Sequence, residues 1–160
     1  MEINILNLID GAKKACGTTV IIDVFRAMSL EAYFYNNGAK AVIPIGNIAT
    51  AYQLKASNPE YVLAGERHGK IVEGFDTGNS PFQLGNINVL GKTVVHTTSA
   101  GTQGIDNAVK ADEILGGSLL VAKATAEYIR RKNPKQVSLV CMGLEGVTNT
   151  EEDLLCAGIY

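Results

Sequence analysis

The chain has 160 residues, the length of one ordinary domain. Its 46% hydrophobic and 19% charged residues, with only 4 Pro, exclude a disordered tail and a small disulfide scaffold. With 14 Lys+Arg against 16 Asp+Glu, a net charge of −2 and no basic stripe, nucleic acid is not an expected partner.

The elements alternate along the chain. Thr18–Phe25 (TTVIIDVF) is an apolar, β-branched run that suits a strand covered on both faces of a parallel sheet, with Asp23 near its end. Ala27–Asn37 has helical spacing, Ser29 to cap its early turn and Gly38 as a stop. Ala41–Ile45 reads as a strand that Pro44 assigns to an edge, and Ile48–Ser57 as a helix closed by Asn58-Pro59. A short strand at Tyr61–Ala64 precedes Gly65–Gly91, whose glycines and weak periodicity predict one long loop, the first place to look for a site. Thr93–Thr97 restores a strand, Gly101–Val109 predicts a short helix and Glu113–Leu115 a further strand. Leu119–Lys132 is an amphipathic helix ending in positive charge. Val137–Met142 is the last strand, followed by a helix from Thr150 with acidic residues in its first turn and no turn residue after Ile159, so it is expected to run to the end of the chain. The alternation predicts an α/β fold, three-layer α/β/α, with a mainly parallel or mixed sheet.

No apolar run approaches the ~20 residues of a bilayer crossing, and the first residues lack a signal-peptide pattern, so the expected protein is cytoplasmic and has no membrane partner. Cys16, Cys141 and Cys156 form neither a disulfide framework nor a CxxC motif and are expected to be buried thiols. His68 and His96 have no second soft ligand nearby, so an expected metal is a hard one such as magnesium.

In parallel α/β sheets ligands sit beyond the carboxyl ends of the strands. Asp23 and Arg26 follow the first predicted strand, a pairing suited to a metal ion and an anion, or to a structural salt bridge. Gly65-Glu66-Arg67-His68-Gly69 and Gly74–Pro81 bring carboxylates, cations and small polar donors to one glycine-rich stretch. Thr97–Thr102 (TTSAGT) follows a strand and opens a helix, where hydroxyls and amides either cradle a phosphate or cap the helix. His96 alternates with apolar neighbours and reads as structural; His68, on the loop, is the better catalytic candidate. Glu152 and Asp153 either complete a metal site or favour the helix dipole. Gly91-Lys92-Thr93 lacks the upstream glycine spacing of a P-loop, no GxSxG elbow occurs, and Phe25 replaces the second aspartate of a haloacid-dehalogenase phosphatase motif.

The ordered set VIIDVFRA (20–27), GERHGKIVEGFDTGNSP (65–81), TTSAGT (97–102) and EEDLLCAG (151–158) resembles the 2-phosphosulfolactate phosphatase family over nearly the whole chain. It departs from the family at Met28-Ser29-Leu30 and at Ser99-Ala100, where the family has hydroxyls and an amide side chain, and the family continues beyond Tyr160. The resemblance implies a single domain over residues 1–160 lacking the C-terminal part of the family fold. It also implies a Mg²⁺-dependent phosphatase that hydrolyses 2-phospho-3-sulfolactate to sulfolactate and phosphate in coenzyme M biosynthesis, or acts on a related small acidic phosphomonoester. Carried over to matching motif positions, Asp23, Arg26, Glu66 and Arg67 are expected to be catalytic and Asn79 and Ser80 to bind substrate, and the hydroxyls and amides of Thr98, Ser99, Gly101 and Thr102 are expected to bind it as well. Asp23, Glu66 and Asp76 are expected to hold the metal while Arg26 and Arg67 clamp phosphate or sulfonate. The competing reading is a non-catalytic anion-binding or subunit-interface module, and the resemblance leaves homo-oligomerisation open.

Overall fold

The computed structural model describes residues 1–85 and 87–160. In chain order its elements are β1 (Glu2–Asn7), α1 (Leu8–Ala12), β2 (Gly17–Ile22), α2 (Ala27–Asn36), β3 (Ala41–Pro44), α3 (Ile48–Ser57), β4 (Val62–Arg67) and β5 (Lys70–Ile71). They continue with α4 (Pro81–Leu84), β6 (Thr93–Thr97), α5 (Gly101–Asn107), β7 (Ala111–Gly117), α6 (Ala122–Lys132), β8 (Gln136–Cys141) and α7 (Glu151–Ala157).

The strands form two four-stranded sheets. One has the order β1-β8-β2-β7 and is parallel throughout; the other has the order β3-β6-β4-β5, parallel except for the short β5. The second sheet is built wholly from the middle of the chain. The backbone leaves the first sheet after β2 through α2 and returns to it after β6 through α5. Both crossings occur at carboxyl ends of strands, and they position the site.

Alternation along each strand supplies the layers. In β2, Ile21 packs with Ala12, Ala27, Ala108 and Met142 toward α1, α2 and α5. Its neighbours Val20 and Ile22 pack with Ile129, Leu139, Cys156 and Ala157 toward α6 and α7. In β4, Val62 and Ala64 face Leu30 and Phe34 of α2, whereas Leu63 faces Ala51 of α3. Helices therefore flank both sheets, the α/β/α layering expected from the alternation of elements. Among the described residues no helix is long and apolar enough to cross a membrane.

Several boundaries differ from the sequence reading. β1 and α1 were not anticipated, because five residues of helix and an exposed edge strand carry little periodicity. β4 continues through Gly65, Glu66 and Arg67, so the GER segment is strand, and 65–91 is not one loop but also holds β5 and α4. β7 extends from Ala111 to Gly117 because it pairs along β2. α6 starts at Ala122, three residues later than its apolar pattern, with a turn closing from Ser118 to Val121. α2 lacks a side-chain cap: Ser29 Oγ instead donates to the Val24 carbonyl at 2.7 Å. The cap of α3, not anticipated, is Asn47, whose Oδ1 accepts the Ala49 amide at 2.7 Å. α7 ends at Ala157 with Gly158 as its C-cap, short of the chain end. Pro44 does lie on an edge strand. Cys141 and Cys156 are buried, while Cys16 is only half-buried.

Candidate active site

The site is assembled from the two crossings. Asp23, the first residue beyond β2, is 4% exposed. Its Oδ1 accepts the Ala27 amide at 3.1 Å and its Oδ2 the Gly101 amide at 2.8 Å. Glu66, from the other sheet, approaches the same segment before α5: Oε1 accepts the Ser99 amide at 2.7 Å, and Oε2 accepts Ser99 Oγ at 3.1 Å and the Gly69 amide at 2.8 Å. The amides preceding and opening α5 are thus taken by two carboxylates from two sheets. A side chain at Gly101 is sterically excluded, since a Cβ there would stand 2.7 Å from the Ala27 Cβ and 2.9 Å from Asp23 Oδ2.

These carboxylates line a cavity of about 140 Å³ together with Phe25, Arg26, Asn79 and Glu145. Arg26 is exposed and is the cation of the lining. Burial pushes the Asp23 carboxyl up to about 7, helped by the nearby Asp153 charge and opposed by the Ala27 and Gly101 amides and by His96. Asp153, also raised by burial, joins the ends of β2 and β8: Oδ1 accepts the Val24 amide at 2.9 Å and Oδ2 the Gly143 amide at 2.8 Å.

Five expected catalytic or substrate-binding residues do not line the cavity, among them Gly101, whose amide donates to Asp23. Arg67 follows Glu66 along β4, and strand alternation sends its guanidinium elsewhere. It donates to the Glu66 carbonyl at 2.7 Å, the Gly46 carbonyl at 2.6 Å and Thr97 Oγ1 at 2.7 Å, so its three acceptors are backbone and hydroxyl groups of the fold. Thr98 and Thr102 close on each other, with the Thr98 amide donating to Thr102 Oγ1 at 2.7 Å and the Thr102 amide to Thr98 Oγ1 at 3.2 Å. Both are buried and have their hydroxyls engaged. Ser80 is the N-cap residue of α4 and does not line the cavity.

Asp76 is the sixth departure. Its Oδ2 accepts the Leu63 amide at 2.8 Å and faces Lys55 Nζ at 3.4 Å, and it lines a separate surface pocket with Lys55 and Lys92. No group of three or more His, Cys, Asp or Glu side chains able to hold a metal ion occurs among the described residues. The expected three-carboxylate set therefore reduces to Asp23 and Glu66. That pair still suits a hard divalent cation, which takes one or two carboxylates and completes its shell with water and substrate oxygens.

His68 lies at the rim, exposed, with Nδ1 3.0 Å from Glu145 Oε1 and its amide donating to Ser99 Oγ. Sequence reasoning did not single out Glu145 and left Asp153 with two readings. The buried face of α7 offered a signal for the latter: Asp153 shares the face of Cys156 and Ala157 at i+3 and i+4, and a carboxylate on an apolar face requires buried partners.

The family model described as 2-phosphosulpholactate phosphatase matches residues 4–160, and the chain belongs to that family. A protein of Caldicellulosiruptor saccharolyticus named probable 2-phosphosulfolactate phosphatase is 43% identical over 88% of this chain and 60% of its own length. Proteins of the same name from Clostridium tetani, 40% identical over 87% of this chain and 59% of theirs, and from Thermotoga maritima, 38% identical over 90% and 61%, are similar. The chain spans about three-fifths of the length of these curated relatives.

Proposed function

We propose that the chain carries the catalytic carboxylates of a Mg²⁺-dependent phosphatase acting on 2-phosphosulfolactate or a closely similar small acidic phosphomonoester, a step of coenzyme M biosynthesis. The observation that carries this reading is the convergence of Asp23 and Glu66, from two sheets, on one cavity that also presents Arg26 and Asn79. The names of the relatives support the substrate.

Asp23 and Glu66 are the residues that would hold the magnesium ion, in place of the three-residue set that includes Asp76. When bound, it neutralises phosphate charge and lowers the pKa of a coordinated water. What supports a metal cation beside Arg26 is the acidic lining, because a phosphate dianion beside Glu66 and ionised Asp23 is repelled unless positive charge accompanies it. Arg26, at the open rim, binds non-bridging phosphate or sulfonate oxygens, and Asn79 donates to an oxygen from the inner wall. Asp23 serves either as the nucleophile toward phosphorus or as the proton acceptor for an attacking water. Trapping a phosphoenzyme on Asp23 selects the first route.

The test is phosphate release from 2-phosphosulfolactate and from a panel of other phosphomonoesters, with Mg²⁺ and with EDTA. The expected result is release that requires Mg²⁺ and prefers substrates with a second anionic group. Tight binding of sulfolactate without turnover would instead establish the anion-binding module.

A further inference from the structure

Behind Asn79 lies a buried chain of polar groups that none of the expected site residues explains. His96, in β6, is fully buried and packs edge-on against Phe34 with ring centroids 5.6 Å apart. Its Nδ1 is 2.9 Å from Glu31 Oε1 of α2, and its Nε2 is 3.2 Å from Asn79 Oδ1. Both ring nitrogens therefore face oxygen acceptors, a pattern satisfied by an imidazole carrying a proton on each nitrogen. Glu31, 14% exposed, supplies the opposite charge that such a buried ring requires.

We infer that His96 is a positioning residue that, backed by Glu31, pins the Asn79 carboxamide oxygen and so turns its NH₂ group toward the cavity as a donor for a phosphate or sulfonate oxygen. The reasoning is one of inventory. A free carboxamide presents an acceptor as readily as a donor, and an acceptor facing the substrate would add to the repulsion already set up by Asp23 and Glu66. With its oxygen held by Nε2–H, Asn79 has only its two N–H groups left to offer, and among the described residues neither donates to a protein acceptor. Glu31, His96 and Asn79 come from α2, β6 and the segment before α4, so one chain of hydrogen bonds ties a cavity donor through the second sheet to the helix packed on its α2 face.

The inference rests on the phosphatase reading for its kinetic test but not for its structural one. In the ¹⁵N-histidine-labelled wild-type protein, one-bond N–H correlations are expected at both ring nitrogens of His96; an unprotonated Nε2 would overturn the inference, because Asn79 would then present its oxygen to the cavity. In kinetics, Asn79→Ala and His96→Asn are each expected to raise KM about tenfold, the worth of one hydrogen bond to a charged oxygen, with kcat changed far less. The double variant is expected to be no worse than Asn79→Ala alone, a coupling that a merely structural role would not produce. Additive KM effects would contradict it. Where His96→Asn does not fold, Glu31→Gln replaces it in the same cycle, with urea unfolding as the control. Absence of phosphate release from the wild type would refute the phosphatase reading, and the ring protonation would then decide the hydrogen-bond chain by itself.

Discussion

Asp23 and Gly101 fit each other: the Gly101 amide donates to Asp23 Oδ2 at 2.8 Å, and the same oxygen lies 2.9 Å from where a Cβ on residue 101 would stand. Ala27 and Met28 close the other side of that space at 2.7 and 2.8 Å. Gly101→Ala is therefore expected to displace the carboxylate or the start of α5. The expected outcome is a loss of about 1–3 kcal/mol in stability from overpacking, with a larger fractional loss of activity. Urea unfolding and phosphate release measure the two; an unchanged variant in both would show that the contact does not hold Asp23 in place.

The pH dependence of stability follows from Asp23 with a definite sign. Its carboxyl is raised from the ordinary 3.8 to about 7 by burial, so between these values the folded chain holds a proton that the unfolded chain has lost. The contribution is complete below about pH 4 and is lost as pH rises through about 7, by at most about 4 kcal/mol. Asp153, raised in the same direction, adds to it. Denaturant unfolding from pH 4.5 to 8 in EDTA is expected to give a declining slope that is shallower in Asp23→Asn. Identical slopes in the two proteins would refute the assignment to Asp23.

Arg67 is expected to behave as a structural residue. A lysine has no planar fork to span the Glu66 and Gly46 carbonyls and Thr97 Oγ1 together. Arg67→Lys should lower stability by about 1–3 kcal/mol while KM stays within about twofold. A KM increase of tenfold or more at unchanged stability would return Arg67 to the role of anion clamp.

The three thiols separate by environment. Burial pushes Cys141 up to about 12 and Cys156 up to about 11, the neighbouring Asp153 charge adding to both, whereas Cys16 is half-buried. Since the thiolate is the reactive form, iodoacetamide at pH 7.5 should label Cys16 alone in the folded protein and all three cysteines in urea. Mass spectrometry of the native sample showing label on Cys141 or Cys156 would mean that the α7 side of the first sheet opens readily.

Much of this architecture was legible in the order of residues. Thr93–Thr97 and the amphipathic stretch ending in Arg130-Arg131-Lys132 carry one dominant period each; the strand forms over the expected residues, and the helix forms through Lys132 but starts only at Ala122. Asp23 stood out as a carboxylate after an apolar strand and Glu66 as part of a glycine-rich stretch, and the structure brings both to one cavity. What remained hidden depends on contacts between distant segments. Gly65 suggested a loop, yet it lies in β4, where its Cβ position would fall 2.0 Å from the Thr97 carbonyl oxygen, so glycine there permits two strands to approach. That strand then separates Glu66 from Arg67 by the alternation that a loop lacks. Thr98 and Thr102 could either cradle an anion or cap the helix, and their spacing of four residues lets them bond each other, which decides for the cap. His96 and Glu31 lie 65 residues apart, and only the packing of α2 on the second sheet brings them together.

The most direct test of the site compares phosphate release, with Mg²⁺ present, by Asp23→Asn, Glu66→Gln and Asp76→Asn under identical conditions. The first two variants are expected to lose about 100-fold or more in kcat/KM, as removal of a group acting on the reacting phosphate does. Asp76→Asn, altering a residue that binds the Leu63 amide outside the cavity, is expected to stay within about threefold. Loss of activity in Asp76→Asn alongside a near-normal Glu66→Gln would contradict the pairing of Asp23 with Glu66 as the catalytic centre.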